Sequence, residues 1–304
     1  MARSSRLTEL VGSARSRLRF PDGPFTVALS GGADSATLAF LAVESGPGAD
    51  AIHIDHGLPA SPMLRMAAAE IAGRLGIDLE IVFVELGEGP SLEDRARTAR
   101  YEVLDSWGQN VLTAHTREDN AETILINLIR GTGPSGLAGI PFHRPPRTYR
   151  PMLDVTRDET REIASLAGLP FRDDPMNSDL ELIRNRLRHQ IIPQLREMNP
   201  RVVDALARAA TAVGADTALL DGMVAEIDTT AGVPVAVLTT LPRPLSDRVL
   251  GRLLAANGVG VTDDRLIRAR SVVEGEAPRQ DLADGRIIER RDAMVVVVAA
   301  IGTD

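Results

Sequence analysis

The sequence predicts an α/β protein: a parallel sheet wrapped by helices, followed by a smaller, mainly helical domain. Three observations predict it. In the first 130 residues, short apolar strand patterns alternate with helical ones, as in strands joined by crossover helices. The first strand runs into the glycine-rich stretch ALSGGADS (Ala28–Ser35) and then into an apolar helix pattern. Beyond Met198-Asn199-Pro200, long Ala- and Leu-rich helical patterns take over.

Taken in order, the strands are expected at Phe25–Ser30, Ala51–Asp55, Leu79–Leu86 and Asn110–Ala114. Helices are expected at Asp34–Ser45, Ser61–Leu75, Leu92–Ser106 and Arg117–Arg130, the last capped by Thr116-Arg-Glu-Asp119. A loop rich in Gly, Pro and Arg follows (Gly131–Pro151). A helix then covers Asp154–Ala167, and another runs from near Ser178 to Leu195, with Ser178-Asp-Leu-Glu181 as its capping box. The second domain shows a long helix (Val202–Ile227) and two shorter ones (Ser246–Asn257, Asp263–Glu274). It ends in a strand pair (Gly285–Arg290, Ala293–Ala299). The expected division is 1–200 and 201–304, and 304 residues are enough for two cores.

Composition excludes several classes of function. There is no cysteine, so disulfides, thiolate metal sites and cysteine nucleophiles are absent. The N-terminal stretch is amphipathic and carries arginine, without the apolar core of a signal peptide. No run approaches the roughly 18 apolar residues of a membrane span. The expected location is the cytoplasm, with no membrane partner. The chain has no lysine, so all 34 basic residues are arginine, and the net charge is −8. That charge is uneven: residues 1–129 are net −7, whereas residues 130–196 carry 11 arginines against 8 acids. The middle segment is where a polyanion would dock.

Ser30-Gly-Gly-Ala-Asp-Ser35 lies between a strand and a helix. Glycines there let the backbone approach a ligand closely, and the helix N-terminus offers free N–H groups and partial positive charge. Together these suit phosphate. Asp34 makes sense beside phosphate if Mg²⁺ lies between them. The stretch is neither a Walker A loop nor a GxGxxG turn.

This stretch resembles the PP-loop of the N-type ATP pyrophosphatases, which cleave ATP between the α and β phosphates and attach AMP to a substrate oxygen. Five further stretches sharpen the resemblance: HIDHGLP (His53–Pro59), ARTARYEVL (Ala96–Leu104), Leu112–Pro141, Tyr149–Ala164 and Asp173–Leu195. In this order they look like the tRNA(Ile)-lysidine synthases, over about residues 25–196 and more loosely beyond. The resemblance implies a Rossmann-like parallel sheet with a PP-loop and a smaller, mainly helical C-terminal domain. It implies a ligase that uses ATP and Mg²⁺, an isoleucine tRNA with a CAU anticodon, and free lysine. ATP would adenylate O2 of the wobble cytidine, and the lysine ε-amine would then displace AMP. The sequence leaves the oligomeric state open, with a homodimer as one option.

On this reading Ser30, Gly31, Gly32, Ala33, Asp34 and Ser35 hold ATP, with His53 near the nucleotide. Asp34 and Asp119 are the metal candidates, and Asp119 either binds metal or orients the amine. Asp119, Glu122 and Thr123 share a helix face. Arg184 and Arg188 share another, spaced to hold phosphate, and complete the catalytic set with Asp34 and Asp119. Arg144, Arg147 and Arg150, with Tyr149 among them, form a basic loop suited to the anticodon loop. Arg286, Arg290 and Arg291 are candidates for contact with the acceptor stem. Departures from the usual pattern stand at Pro59, Thr116, Glu118 and Asn120, so His115 is not one of a pair. Two other readings fit the loop alone: an ammonia-using PP-loop enzyme of the NAD synthetase type, and an ATP-binding regulatory module.

Overall fold

The computed structural model describes residues 2–45, 49–89, 91–282 and 285–300; residues 283–284 and 301–304 of the expected second domain lie outside them. The chain forms two compact units. The first takes in the chain up to Thr132 together with Gly136–Thr211, and the second holds Gly133–Ser135 and the chain from Ala212 onward.

The first unit opens with α1 (Ala2–Arg15) and alternates β1 (Phe25–Ala28), α2 (Ala33–Ser45), β2 (Asp50–Asp55), α3 (Ser61–Leu75), β3 (Leu79–Phe83), α4 (Leu92–Ser106), β4 (Asn110–Leu112) and α5 (Arg117–Ile129). One-turn α6 (Pro134–Leu137), the short strands β5 (His143–Arg144) and β6 (Thr148–Tyr149), and α7 (Arg157–Leu166) follow. Among the described residues the strands form one sheet in the order β3-β2-β1-β4-β6-β5, parallel except for the β5–β6 pairing. β1 has β2 on one side and β4 on the other, so the order reverses there and leaves a crevice at the strands' carboxyl ends. Burial on both faces explains the apolar strands. Phe25, Thr26 and Val27 are buried, and Leu38 and Leu41 of α2 pack against them, each contributing about 2 kcal/mol of transfer free energy.

Two expectations change. The Gly131–Pro151 stretch is no simple loop. The Val111 N–H donates to the Arg147 carbonyl and the Thr113 N–H to the Tyr149 carbonyl, which draws β6 into the sheet beside β4. The helix expected from Ser178 starts only at Ile183, as α8 (Ile183–Arg186), and no capping box forms at Ser178. The physical reason is Asn185. It is buried, and its amide donates to the carbonyls of Met176 and Asp179, holding them in a turn. Pro175–Ser178 is instead a 3₁₀ turn capped by Asp174, and the Asp179 carboxylate accepts from the Glu181 N–H. A π-helical turn (Leu187–Ile191) then leads into α9 (Ile192–Met198). Pro193 lies in the first turn of α9 and has no N–H to give to the preceding turn.

α10 (Val202–Met223) begins in the first unit and continues into the second. The second unit adds β7 (Val233–Pro234), α11 (Val235–Thr240), α12 (Arg243–Ala256), α13 (Asp263–Glu274), β8 (Arg279–Asp281), β9 (Arg286–Arg291) and β10 (Met294–Ala299). Its strands pair antiparallel in the order β7-β10-β9-β8, so the expected terminal pair is the centre of a larger sheet. Leu250, Leu253, Leu254, Ile288 and Val295 form its core.

Asn185→Ala is expected to destabilise the first unit by about 1–3 kcal/mol, because two turn carbonyls lose their donor. Urea unfolding followed by the fluorescence of Trp107, the only tryptophan in the chain, reads this directly. An unchanged midpoint would mean that water replaces the amide at no cost.

Candidate active site

The glycine-rich loop follows β1 at the crevice. The Leu29 N–H still bonds the Ile52 carbonyl at 2.8 Å, but the Ser30 N–H turns to the Ser35 hydroxyl at 3.1 Å. The Ser35 hydroxyl donates to the Gly32 carbonyl at 3.0 Å, closing the turn at the start of α2. Gly31 has φ +89°, and a Cβ there would come within 3.0 Å of the Leu64 carbonyl oxygen, so only glycine fits. Its own carbonyl accepts the Arg172 N–H at 2.9 Å. Gly32 differs: leaving aside its chain neighbours, the nearest described atom to the site of its Cβ is the Ser30 hydroxyl oxygen at 3.6 Å. Among the described residues no contact needs that glycine's small size, whereas a ligand pressed against the loop would. Ser30 is exposed, and the first turn of α2 presents N–H groups with no intrahelical partner. Exposed N–H groups and hydroxyls of this kind suit a phosphate.

β2 ends beside it. The buried His53 holds the Leu29 carbonyl through Nδ1 at 2.8 Å, and burial keeps its pKa below the usual imidazole value. His53 thus steadies the loop entry as a neutral ring. Asp55 takes the Gly57 N–H at 2.9 Å and Arg65 at 2.5 Å. His56 Nδ1 and Arg184 Nε are buried with no hydrogen-bond partner among the described residues.

The centre of the site is a network of carboxylates and guanidinia. Thr116 caps α5, and Asp119 completes the box by accepting the Thr116 N–H at 2.8 Å on Oδ2. Its Oδ1 accepts Arg157 at 2.7 Å and Arg188 at 3.3 Å. Glu122, one turn on, is 0% exposed. It accepts Arg188 through Nε at 2.8 Å and Nη2 at 3.0 Å, and Arg157 at 3.3 Å, with Arg184 Nε at 3.7 Å. Arg184 also donates to Thr123 at 3.1 Å. The expected face of Asp119, Glu122 and Thr123 therefore meets the expected face of Arg184 and Arg188. Asp34 lies 3.9 Å from Arg157, and its Oδ1 accepts the Thr160 hydroxyl.

Arg157 and Thr160 escaped the sequence reading. Their signal was Thr156-Arg-Asp-Glu159, a second capping box, which starts α7 at Arg157 rather than at Asp154. That start puts Arg157 and Thr160 on one face, at i and i+3.

The two aspartates differ electrostatically. Burial pushes the Asp34 carboxyl up to about 6, and the nearby Asp119 charge adds to this against the pull of Thr160 and Arg157. Burial acts on Asp119 too, but Arg157, the Thr116 N–H and Arg188 outweigh it and hold Asp119 low. Burial keeps His115 neutral, with Arg150, Arg100 and Arg184 adding to the effect. Asp34 is the better fit to a cation: among the described residues its Oδ2 accepts no hydrogen bond and faces only Arg157 Nε at 3.9 Å, and a divalent ion would relieve its raised pKa. Oδ1 of Asp119 is already filled by two arginines. No cluster of three carboxylate or imidazole ligands occurs among the described residues, so an ion here would draw other ligands from phosphate and water.

The other candidate residues divide. Arg150 is 3% exposed and donates to the Pro141 carbonyl at 2.7 Å and Tyr101 at 3.1 Å. It braces the sheet and is corrected from an RNA contact to a structural residue. Arg144 grips Asp105 with two nitrogens and lies 4.1 Å over the Tyr101 ring. Arg147 bonds the Trp107 carbonyl. Both keep partial exposure. In the second unit the pleat of β9 puts Arg286 and Arg290 on one face and Arg291 on the other, where it pairs with Glu289.

Residues 3–195 match the family model described as the PP-loop domain. The chain is 38% identical to a tRNA(Ile)-lysidine synthase of Nocardia farcinica, covering 80% of this chain and 79% of the relative. It is 36% identical to that of Mycobacterium tuberculosis H37Rv, covering 90% of each. Among solved structures, the U34-tRNA thiolase NcsA of Methanococcus maripaludis superimposes with a TM-score of 0.57 at 19% identity, covering 67% of this chain and 78% of that one, which shows the shared fold.

The raised Asp34 pKa has a consequence for stability. Between the unfolded value of 3.8 and about 6 the folded state binds more protons, so this group's contribution to stability falls as pH rises through that window. Asp34→Asn keeps an oxygen for Thr160 and loses the charge. It is expected to be more stable than wild type by about 1–3 kcal/mol at pH 7.5, with the gap closing below pH ~4. Thermal melts across pH check this, and a gap that stays constant with pH would remove the assignment.

Proposed function

Because the chain belongs to the tRNA(Ile)-lysidine synthase family of PP-loop proteins, we propose that it converts the wobble cytidine of a CAU-anticodon isoleucine tRNA to lysidine, using ATP and free lysine. It is an ATP-dependent tRNA-modifying ligase. One observation carries the reading from the site itself: a phosphate cradle and an arginine-balanced carboxylate pair meet at the switch point of one sheet. A regulatory ATP module would leave that pair and its arginines without a task. An NAD synthetase reading is not favoured, because relatives matched over 90% of the chain are lysidine synthases.

The chemistry follows from the cradle. The triphosphate lies along Ser30–Ser35, with the first-turn N–H groups of α2 directed at it. Cytidine O2 attacks the α-phosphorus, and the bond to the β-phosphate oxygen breaks to release pyrophosphate. The base must leave the anticodon stack to be reached. The lysine ε-ammonium first loses a proton to solvent, and the neutral amine attacks C2. AMP departs with the C–O electron pair, and the nitrogen releases its extra proton to solvent. Mg²⁺, held by Asp34 and phosphate oxygens, would supply neutralisation of the charge that builds on the leaving pyrophosphate.

Asp119 is assigned the orienting role rather than a metal bond. Its low pKa makes it an acceptor of hydrogen bonds, and a lysine ammonium competes well with a guanidinium for that oxygen. Arg184 and Arg188 hold Glu122 and stand ready for phosphate oxygens once nucleotide enters. The basic segment 130–196, through Arg144 and Arg147, is assigned to the anticodon arm. Residues 1–200 are read as the catalytic domain and 201–304 as the tRNA-selecting one. No helix among the described residues is long and apolar enough to cross a membrane. The tRNA substrate is the reason for assigning the reaction to the cytoplasm.

Incubation with ATP, Mg²⁺, labelled lysine and an unmodified isoleucine tRNA transcript is expected to label that tRNA and leave initiator methionine tRNA unlabelled. Asp119→Ala should lose the label by at least ~100-fold. Pyrophosphate release without label in RNA would keep the PP-loop chemistry and discard this substrate. Reversing charge at Arg286 and Arg290 together should erode discrimination between the two tRNAs more than reversal at Arg291, which Glu289 already engages. Equal discrimination in all variants would remove the selecting role of β9.

A further inference from the structure

We propose that Thr160 is a positioning residue for Asp34: its hydroxyl fixes one carboxylate oxygen and leaves the other for the cation that accompanies the nucleotide. This rests on the ATP chemistry assigned above and adds to it a residue that acts through Asp34.

Thr160 is fully buried on α7, and its anchoring is double. Its N–H donates to the Thr156 carbonyl at 3.0 Å, within its own helix. Its carbonyl accepts the Thr37 hydroxyl at 2.6 Å, from α2. Thr37 lies one turn beyond Asp34 on that same helix. The bonds therefore form a ring: α2 grips the backbone of Thr160, and the side chain of Thr160 grips Asp34 on α2. The Thr160 hydroxyl has two acceptors in reach, the Arg157 carbonyl at 2.8 Å and Asp34 Oδ1. A threonine with a purely helical role uses the carbonyl of the preceding turn. An ionised carboxylate is the stronger acceptor and takes the single proton.

Packing alone does not call for a threonine. Thr160 is fully buried, and a valine would match its branched shape and lack only the hydroxyl. The hydroxyl's reason is Asp34. The same turn of α7 also sends Arg157 to Asp119 and Glu122. One helix face thus sets both the carboxylate beside the phosphate cradle and the carboxylates on α5.

The test compares Thr160→Val, Thr160→Ser and Thr37→Val. Thr37→Val removes a bond between the same two helices but not the one to Asp34, so it isolates any general loosening. Thr160→Val is expected to lower kcat for pyrophosphate release about tenfold, with KM for ATP changing less than ~3-fold, and Thr160→Ser to recover most of the loss. A second readout does not use turnover: Mn²⁺ titration of the ATP complex by electron paramagnetic resonance. Mn²⁺ affinity should weaken several-fold in the valine variant and return with serine. Thr37→Val should melt earlier yet keep both quantities near wild type. Should the valine variant not fold, Thr160→Ala carries the same expectation.

Wild-type kcat and Mn²⁺ affinity in Thr160→Val would overturn the proposal. So would equal losses in Thr160→Val and Thr37→Val, which would mark the role as packing. A wild-type protein that binds ATP and Mn²⁺ but releases no pyrophosphate would instead defeat the assigned reaction, and the Mn²⁺ titration would still judge Thr160.

Discussion

Most of the site depends on the need to keep buried carboxylates compensated. Glu122 is wholly enclosed, and a lone ion there would cost several kcal/mol. Arg188 meets it with two nitrogens, Arg157 with one, and Arg184 stands close by. These arginines come from α7 and from the α8 region, far apart in sequence from α5. Closing the charge balance therefore pulls three separate segments into one wall at the end of β4. Apolar side chains of the same volume would hold such a wall as well or better. The ionic version makes sense for a surface that must exchange its internal partners for a charged substrate.

The rest of the first unit can be read as support for that wall. Capping boxes at Thr116 and Thr156 fix where α5 and α7 begin, and so which way Asp119 and Arg157 point. Arg17, just beyond α1, bonds Glu159 at 2.6 Å, and Glu159 is the closing residue of the second box. Asn185 delays α8 until the chain has turned, which brings Arg184 and Arg188 in at the right height. Each device is a hydrogen bond with a local address in the chain.

Those local addresses explain what was legible beforehand. α3, α4 and α13 begin and end where the sequence places them, and Ser30–Ser35 lies between a strand and a helix as its position implied. Arg184 and Arg188 declared a shared face through i,i+4 spacing. What could not be read was long-range. No property of Arg150 distinguishes it from Arg144 in the sequence; only the sheet, by adding β6, buries one and leaves the other at the rim. The two-residue strands β5, β6 and β7 are too short for a period to show. Ser178-Asp-Leu-Glu181 carried a correct local signal that Asn185 overruled from six residues downstream. The carboxylates that hydrogen-bond the Arg157 guanidinium, Glu122 and Asp119, lie 35 and 38 positions earlier, beyond the reach of any local pattern.

The glycine-rich loop is anchored from behind. Gly31 is wedged against the backbone of α3, its carbonyl is held by Arg172, the Leu29 carbonyl is held by His53, and the serines close on each other. Such a loop behaves as a mould rather than as a flap. It has little freedom left to lose when a triphosphate arrives, so little of the binding energy is spent on ordering it. A nucleotide bound there would then enter and leave past a fixed loop, with any adjustment falling to the arginine wall of Arg157, Arg184 and Arg188.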